Sequence, residues 1–567
     1  MRTTTDSDLT GLEFFETVEL FAGFPQALRE QLLPVFTSVR VPAGEWLFRQ
    51  GDPGDALLIV QSGRLEVVLD SPDGPRRAGL IGSGGVLGEL ALLLGGVRTA
   101  SVRALRESEL LRLDKGAFDE LFRTVPAFAF SVSRALARQL QLAMPPTVAR
   151  PREVAVVAVI GITPQAPAAE LSDALCQALT RWGTATQVLP PEDRFDQAQM
   201  GRSVAALEGT TDTVLMLAPD RADSQGWARF CLRQADVVIA VVDPRSPAAY
   251  GPDPELAGCE IVFWTPSATG SVLVPWLDRL QPAAHHLVSP QTQGEDVARL
   301  ARRLTGHSLG LVLSGGGARG LAHIGVLRAF TQAGYTIDRV GGTSMGSLIG
   351  GLFALGLHPD DIASRCRAEL VDKNPFNDYT LPRHALIKAR KATDMLGRLF
   401  RDARVENTRR SLFTMSADLV TGQEVVHRRG PIMNAVGASM CLPGLAPPIV
   451  DGNRLLVDGG VLNNLPVDVM AARDEGPIVA VDVRQRDSAS SSGAAIPVPT
   501  MVDTLGRACV LGSWLKTDQT RLLAALVIAP DLPGVGLLDF RQFVRAVEEG
   551  QRAAEIALAT CSSLGGL

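Results

Sequence analysis

The sequence predicts a multidomain chain of α+β and α/β class, with a small β-barrel or jelly roll followed by two α/β domains. The length of 567 residues exceeds what one domain usually holds, at ~100–200 residues per domain. Short apolar runs separated by Gly-rich turns occupy the first part. Longer apolar runs alternate with helical stretches through the rest, which is typical of parallel sheets.

The composition excludes several classes of protein. Apolar residues make up 46% and charged residues 20% of the chain, so most of it has enough apolar surface to fold. A balance of 55 basic against 61 acidic residues argues against a nucleic-acid partner. The seven cysteines are widely spaced with no CxxC, which favours a reducing compartment and predicts neither disulfides nor a metal site.

The sequence also argues against a membrane-spanning protein. The residues after Met1 lack the apolar stretch that a signal peptide requires, and no run of ~18 apolar residues occurs anywhere in the sequence. We therefore expect a cytoplasmic chain without a transmembrane helix.

Proline and glycine mark the domain boundaries. Three prolines, Pro145, Pro146 and Pro151, predict a linker over residues 145–153. An amphipathic helix ends at Gly306, before a new strand begins. We predict domains at residues 1–144, 154–305 and 307–567.

Each domain has its own periodicity. In the first, Leu57–Val60 and Arg64–Leu69 are predicted strands, and the pattern becomes helical from Lys115 to Leu140. In the second, four apolar runs predict buried parallel strands: Val154–Ile160, Val214–Leu217, Val237–Val242 and Ile261–Trp264. The third opens near His307 with a strand, a Gly-rich turn and a helix.

The Gly-rich turn Ser314–Gly320 allows two interpretations. Gly315, Gly317 and Gly320 fit the spacing of a dinucleotide-binding loop, but Asp338, the acidic residue expected further on, lies in a loop before a strand. Free amides at a helix N-terminus serve equally as an oxyanion hole.

The stretch from Gly342 to Gly346 favours the second interpretation. It has the pattern G-x-S-x-G at the end of a predicted strand and the start of a small-residue helix. That pattern is typical of a nucleophile elbow, where glycines on both sides of the serine permit a sharp turn. Ser344 is therefore a candidate nucleophile.

The base that would activate Ser344 is less evident. The usual triad needs a histidine after the acid, yet the last histidine is His427. An apolar run instead delivers Asp458 to the turn formed with Gly459 and Gly460. The plainer interpretation of Asp458 is an ordinary Asp-Gly turn at a strand end.

Together the three motifs, Ser314–Gly320, Gly342–Gly346 and Asp458–Gly460, resemble those of the patatin-like phospholipases. The resemblance implies that Ser344 is the nucleophile and Asp458 the base of a Ser–Asp dyad. It also implies an oxyanion hole, formed by Gly315, Gly316 and Gly317 with Arg319 nearby. We expect His323 to be structural and His427 to be a surface residue on a hairpin.

A second motif lies in the first domain. A short helix starting at Gly88, followed by Arg98, would present amides and a cation to a phosphate, with Glu89 suited to a sugar hydroxyl. The stretch resembles the phosphate-binding cassette of cyclic nucleotide-binding domains. The residues that would bind are Gly88, Glu89, Leu90, Ala91, Arg98 and Thr99.

The resemblance implies that Arg98 pairs with the cyclic phosphate and Glu89 with the ribose, while Thr99 suits cGMP as well as cAMP. Val97 and Leu87 replace the proline and phenylalanine common in the family. The alternative is a docking module that binds nothing, with Arg98 in a surface ion pair.

This combination resembles the bacterial relatives of neuropathy target esterase. It implies a lipid substrate, hydrolysis of acyl esters of phospholipids or lysophospholipids without a required cofactor, and cAMP or cGMP as regulator. The competing hypothesis is a nucleotide-sensing regulatory or scaffold protein with an inactive hydrolase domain. The middle domain has no Walker motif, and we interpret it as a spacer.

A basic stretch offers a route to the inner face of the membrane. Lys388–Arg410 contains eight basic residues, and Met395, Leu396, Leu399 and Phe400 recur at helical spacing. A basic amphipathic helix suits an anionic lipid surface. The alternative is a solvated helix packed on the hydrolase core.

Overall fold

The computed structural model describes most of the chain. The described residues are 14–15, 18, 20–21, 24–71, 74–94, 96–125, 127–129, 131–132, 154–164, 166–191, 196–222, 226–247, 253–265, 270–484, 498–561 and 564. The predicted linker over 145–153 and the second half of the predicted helix Lys115–Leu140 lie almost wholly outside them.

The first domain is a sandwich of two four-stranded antiparallel sheets, as its short alternating runs predict. The sheets run in the orders β1-β8-β3-β6 and β2-β7-β4-β5. The strands are β1 Thr37–Val41, β2 Trp46–Phe48, β3 Ala56–Ser62, β4 Leu65–Ser71, β5 Gly74–Ile81, β6 Val86–Leu87, β7 Ser101–Ala104 and β8 Ser108–Asp114. The helices are α1 Gln26–Leu32, α2 Glu89–Leu94 and α3 Lys115–Thr124.

The second domain is a parallel six-stranded sheet in the order β10-β11-β9-β12-β13-β14. Its four predicted strands are confirmed, and β9 and β11 are buried along their whole length, which explains their continuous apolar runs. The strands are β9 Val156–Gly161, β10 Ala185–Val188, β11 Thr213–Ala218, β12 Val237–Val242, β13 Glu260–Trp264 and β14 Ala284–Val288. The helices are α4 Ala168–Leu179, α5 Gln197–Glu208, α6 Trp227–Gln234, α7 Val274–Leu280 and α8 Gln293–Leu304.

The third domain is built on a mixed eight-stranded sheet. Its main path is β19-β20-β17-β16-β15-β21-β22, with β18 paired to β17. The five strands β17, β16, β15, β21 and β22 run parallel, whereas β18, β19 and β20 pair antiparallel. The strands are β15 Gly310–Leu313, β16 Arg339–Thr343, β17 Ser411–Asp418, β18 Gln423–His427, β19 Ile449–Asp451, β20 Arg454–Asp458, β21 Ile478–Val481 and β22 Leu526–Ile528.

Helices cover both faces of this sheet. They are α9 Ala322–Gln332, α10 Met345–Ala354, α11 Pro359–Cys366, α12 Arg390–Phe400, α13 Ile432–Ser439, α14 Val467–Ala471, α15 Met501–Leu511, α16 Trp514–Thr520 and α17 Phe543–Thr560. The main core lies between the sheet and α9, α10, α12 and α17. In the part of the chain that the structure describes, no helix has the length and apolar character needed to cross a membrane.

The basic stretch takes the second of its two predicted forms. Only Arg390–Phe400 is helical, and a 3₁₀ turn and the strand β17 follow it. Met395, Leu396, Leu399 and Phe400 are all buried in the core of the third domain. The apolar face of α12 therefore packs against protein, and the prediction that it binds lipid is wrong.

Buried charges join the first and second domains. Arg106 is 1% exposed, donates to the carbonyl oxygen of Gln234 at 2.6 Å and pairs with Glu208. Arg64 donates to Asp236 at 3.2 Å. Because a buried charge without a partner is costly, these pairs hold the two domains in one arrangement.

Candidate active site

Ser344 stands at a strained turn between β16 and α10. Its φ of 53° and ψ of −120° lie where side chains are rarely found, and its amide donates to Oγ of Ser439 at 2.8 Å. A Cβ on Gly346 would lie 2.2 Å from the carbonyl oxygen of Leu313, and one on Gly342 would lie 2.7 Å from the backbone of Gly346. The turn thus has the geometry of a nucleophile elbow and needs both glycines.

The Gly-rich turn lies beside this elbow. The amide of Gly315 donates to the carbonyl oxygen of Asn464 at 3.2 Å. The amides of Gly316 and Gly317 have no acceptor within the described residues. Gly317 has a φ of +56°, and a Cβ there would lie 2.2 Å from the carbonyl oxygen of Leu537. Two amides are therefore left for an anion, and the Gly315 amide is not one of them.

Asp458 ends β20, and its side chain lines the same cavity as Ser344. Its carboxylate accepts a bond from the Gly460 amide at 2.8 Å. Burial raises the pKa of Asp458 to about 6, although the Gly460 amide and the nearby Ser344 hydroxyl favour the charged form. A carboxylate with this pKa is half ionised just below neutrality, where general bases work well.

His323 does not face Ser344 as a base. Its Nε2 bonds the carbonyl oxygen of Ser314 at 2.9 Å, and burial lowers the pKa of His323 to about 4. The ring is therefore neutral and donates to Ser314, which steadies the start of the Gly-rich turn.

His427 differs from the surface residue that the sequence predicts. It does lie on a hairpin, but its ring is largely enclosed, and its Nε2 contacts Oγ of Ser416 at 2.7 Å. Burial lowers the pKa of His427. Ser416 pairs in register with Asp458 on the neighbouring strand, so His427 supports the sheet behind the carboxylate.

Two residues that the sequence did not single out hold the site together. Asn464 returns a bond to the Gly-rich turn, from Nδ2 to the carbonyl oxygen of Gly315 at 3.2 Å. Ser439, the last residue of α13, fixes the Ser344 amide. The sequence does contain a signal for this role. Two consecutive asparagines, Asn463 and Asn464, closely follow Gly459 and Gly460, and an asparagine side chain can both donate to and accept from backbone groups.

A cavity of about 110 Å³ opens beside Ser344 and Asp458. Most of its wall is apolar, contributed by Phe376, Met440, Leu442, Leu445, Val510, Trp514, Leu537, Leu538 and Phe540. Arg319 also lines it, with its Nη1 donating to the carbonyl oxygen of Val535 at 3.0 Å. An apolar cavity beside a nucleophile suits the acyl chain of a lipid ester.

In the first domain, the segment predicted to be a phosphate cassette forms a short helix, α2, which begins directly after Gly88. Gly88 has a φ of +91°, and a Cβ there would lie 2.2 Å from Nη1 of Arg98. Glu89 and Ala91 are buried, Leu90 is half-buried and Thr99 is exposed. Gly88 must therefore be a glycine for Arg98 to lie against the cassette.

Arg98 is buried, in contrast to the surface ion pair of the alternative interpretation. It is 3% exposed, donates to Asp55 at 2.9 Å and to the carbonyl oxygen of Ala56 at 3.0 Å, and lies over the ring of Phe48. Burial lowers the pKa of Arg98, although Asp55 opposes the change. Asp55 is also paired with Arg112 at 2.9 Å, so the two cations share one carboxylate.

Elbow, carboxylate and apolar cavity on an α/β sheet define a hydrolase of lipid esters. A family model described as patatin-like phospholipase matches residues 311–471, and one described as cyclic nucleotide-binding domain matches residues 38–125. An uncharacterized NTE family protein of Mycobacterium tuberculosis is 35% identical, over 93% of this chain and 94% of its own length. The chain belongs to the NTE family.

More distant relatives carry names that describe an activity. Neuropathy target esterase of Drosophila melanogaster is 28% identical over 89% of this chain, which spans 39% of that protein. A lysophospholipase of Mycosarcoma maydis is 27% identical over 90% of this chain and 32% of its own length. This chain is thus a lipid ester hydrolase with a cyclic nucleotide-binding domain.

Proposed function

We propose that this chain hydrolyses the acyl esters of lysophospholipids and phospholipids through an acyl-enzyme, with Ser344 and Asp458 as a catalytic dyad. The observation that carries the proposal is the position of Ser344, at its strained turn, beside the buried carboxyl of Asp458 in one cavity, with the pKa of that carboxyl raised by burial to about 6. A carboxylate that ionises near neutral pH beside a strained serine can take its proton without a histidine.

The reaction has two halves. In the first, Oγ of Ser344 attacks the ester carbonyl carbon while Asp458 accepts the hydroxyl proton. The tetrahedral oxyanion then collapses, and the leaving alcohol takes the proton from Asp458. In the second, a water molecule gives a proton to Asp458 and attacks the acyl-serine carbonyl; the bond from the acyl carbon to Oγ then breaks, Oγ takes the proton from Asp458, and the fatty acid is released.

The free amides of Gly316 and Gly317 suit the oxyanion that forms in both halves. Backbone amides held rigidly at the start of a helical turn stabilise developing negative charge without reorganising. The guanidinium of Arg319, anchored on Val535, adds positive charge on the same side of the cavity. Gly315 contributes as a positioning residue, since its own amide is bonded to Asn464.

The proposal is tested by trapping and by a lipid panel. The full-length chain would be treated with a fluorophosphonate, digested and mapped by mass spectrometry, and separately assayed on lysophosphatidylcholine, phosphatidylcholine and a short-chain nitrophenyl ester. We expect the phosphonyl group on Ser344 and release of fatty acid from a lysophospholipid. Labelling of another serine, or no hydrolysis of any of these esters, would refute the proposal. The intact elbow argues against an inactive scaffold, because a strained turn has no structural use there.

Binding of cAMP or cGMP at the first domain is a further part of the proposal. The buried Arg98 and the glycine at position 88 support it, because an arginine beside free helix amides suits a cyclic phosphate. Calorimetry of the full-length chain with each nucleotide tests it. No heat from either at millimolar concentration would leave a domain that binds no nucleotide.

Contact with the cytoplasmic face of a membrane also belongs to the proposal. Leu511 and Leu515 are 58% and 78% exposed, next to the cavity-lining Val510 and Trp514. Exposed leucines next to cavity-lining residues suit contact with a bilayer from which a lipid would enter the cavity. Vesicle co-sedimentation should weaken in the double variant Leu511→Gln, Leu515→Gln but not in Leu522→Gln, an equally exposed leucine not adjacent in sequence to a cavity residue. Equal binding by both variants would contradict this contact.

We also propose the domain boundaries 1–144, 154–305 and 307–567. They are supported by the sheets, each of which draws its strands from only one of these intervals.

A further inference from the structure

A second cavity, of about 220 Å³, lies between the second and third domains, away from Ser344. Its wall is formed by β14 and α8 on one side, and on the other by the residues that precede β16, β17 and β21. Seven arginines line it, against three acidic residues, Asp296, Asp338 and Glu475. The cavity is therefore strongly positive.

Two of these arginines are already paired within α8 and with its neighbours. Arg299 contacts Asp296 at 3.1 Å and Asp338 at 3.6 Å. Arg303 contacts Glu260 at 3.1 Å and also pairs with Glu475. Asp296 and Asp338 are thus occupied by α8, because Arg302 binds Asp338 as well, at 2.7 Å.

Arg429 pairs with Asp278 at 3.3 Å, outside the cavity, so Glu475 is the carboxylate of the cavity wall left for Arg339, Arg428 and Arg473. Glu475 pairs with Arg303 and also lies 3.6 Å from Arg339 and 3.8 Å from Arg473. Burial alone would raise the pKa of Glu475, but the three arginines hold it lowered. The single negative charge of Glu475 is therefore shared by three positively charged side chains that are buried or half-buried.

Arg339 and Arg428 are poorly compensated. Arg339 is 4% exposed, and its Nη2 donates to the carbonyl oxygens of Ser308 at 2.6 Å, Gly476 at 3.0 Å and Pro477 at 3.3 Å. Its Nη1 has no hydrogen-bond partner in the described part of the chain. Arg428 donates only weakly to the carbonyl oxygen of Val469, at 3.4 Å, and its guanidinium lies over the ring of Phe413. Among the described residues, Glu475 acts on it through space without a hydrogen bond.

The electrostatics of these two arginines agree with that geometry. Burial lowers the pKa of Arg339 to about 10, with Arg303 contributing in the same direction. Burial likewise lowers the pKa of Arg428 to about 10, with Arg473 contributing. Like charges crowded in a partly dry cavity repel each other, and a bound anion would remove that cost.

We propose that this cavity binds a small phosphate-bearing anion, held by Arg339, Arg428 and Arg473. Guanidinium groups match phosphate oxygens with paired N–H donors, which suits three arginines converging on one cavity. The shared chemistry is a phosphate monoester or diphosphate, either free in solution or on a lipid headgroup. The site is separate from both the acyl cavity and the nucleotide cassette.

The position of the cavity links the site to catalysis. Arg339 begins β16, and the same strand ends at Thr343, one residue before the nucleophile. The anion would lie at the junction of the two domains, because β14 and α8 form one wall of the cavity and the three arginines belong to the third domain. Its binding therefore stabilises the junction and fixes the strand that carries Ser344 at its far end.

Calorimetry and thermal unfolding of the full-length chain test the proposal. The probes are pyrophosphate and inorganic phosphate, each compared with sodium chloride at the same ionic strength. We expect saturable heat and a higher Tm with the phosphates only. Arg428→Gln and Arg473→Gln, both at half-exposed positions that a folded chain tolerates, should each weaken pyrophosphate binding about tenfold or more.

Two control variants separate this site from others. Arg365→Gln, on the exposed face of α11, should leave binding unchanged. Arg98→Ala should also leave it unchanged, which excludes the cassette of the first domain as the binding site. Loss of pyrophosphate binding in Arg98→Ala, with binding intact in Arg428→Gln, would overturn the proposal.

Vesicles distinguish the two sources of phosphate. Phosphatidylcholine vesicles with and without phosphatidic acid would be tested by co-sedimentation with the same variants. Capture by phosphatidic acid that depends on Arg428 and Arg473 identifies a lipid headgroup, whereas binding of pyrophosphate alone identifies a soluble anion. Absence of arginine-dependent binding to every probe overturns the proposal.

Discussion

Asn464 and Gly315 exchange two hydrogen bonds, one from the Gly315 amide to the Asn464 carbonyl oxygen and one from Nδ2 of Asn464 to the Gly315 carbonyl oxygen, both at 3.2 Å. Asn464 follows the turn that begins at Asp458. The pair therefore ties the Gly-rich turn to the segment that carries the proposed base, so neither can shift alone.

Asn464→Ala should lower kcat about 10- to 100-fold with little change in KM, because the side chain positions the loop amides without touching the acyl chain. Steady-state assays on a nitrophenyl ester measure both constants. Asn453→Ala, in the exposed turn before β20, is the control. An unchanged kcat in Asn464→Ala would mean that the loop holds its position without this pair.

Ser344→Ala should abolish ester hydrolysis and leave the Tm close to that of the parent, because only a hydroxyl is removed from a half-buried turn. Circular dichroism melting and fatty-acid release measure the two effects. Ser364→Ala, on the exposed side of α11, should retain full activity. Substantial turnover by the Ser344 variant would contradict a serine mechanism.

The rate should depend on the ionisation of Asp458. Since the carboxylate form is the base and its pKa is about 6, kcat/KM should rise with pH through about 6 and then level off. A pH profile from 4.5 to 8.5 on a substrate without titrating groups measures this. An inflection near 4, the ordinary aspartate value, would mean that the site is wetter than the structure shows.

Asp458→Asn should lose activity and gain stability above pH 6. A pKa raised from 3.8 to about 6 means that the folded state favours the protonated acid, so its stabilisation is complete below about pH 4 and is lost as pH rises through about 6. The neutral amide avoids that loss, by at most about 3 kcal/mol at pH 8. Denaturant unfolding at pH 4 and pH 8 tests this, and a variant that is less stable than the parent at pH 8 would contradict it.

Arg98→Ala should weaken cyclic nucleotide binding by about ten- to a hundredfold, because a charge-assisted contact to phosphate contributes roughly 1.5–3 kcal/mol. Basal esterase activity should persist, since Arg98 and Ser344 lie in different domains, and any stimulation by nucleotide should vanish. Arg40→Gln, on the exposed strand β1, serves as the control. Undiminished nucleotide affinity in Arg98→Ala would exclude the cassette.

The sequence predicts the parts of this molecule that depend on local backbone requirements. The buried runs of the second domain are strands as predicted, and Ser344 and Gly88 lie at the strained turn and the close approach that their motifs require, because sterics and periodicity act within a few residues. Asn464, Ser439 and the enclosed His427 were missed or misjudged, since their roles arise only when distant strands meet. The sequence could not decide whether the apolar face of α12 contacts the protein core or a bilayer, because both environments favour the same spacing of apolar residues.

The buried arginines at the junction of the first and second domains bear on modularity. A fragment that stops at Met144 would retain Arg64 and Arg106 but lose Asp236, Glu208 and the Gln234 carbonyl. Such a truncation would leave both arginines as uncompensated cations on a newly exposed surface. A binding measurement on the fragment would then describe a protein with altered solubility and charge. The charge balance of the first domain therefore depends on its neighbour, and its affinity for any nucleotide should be measured on the full-length chain.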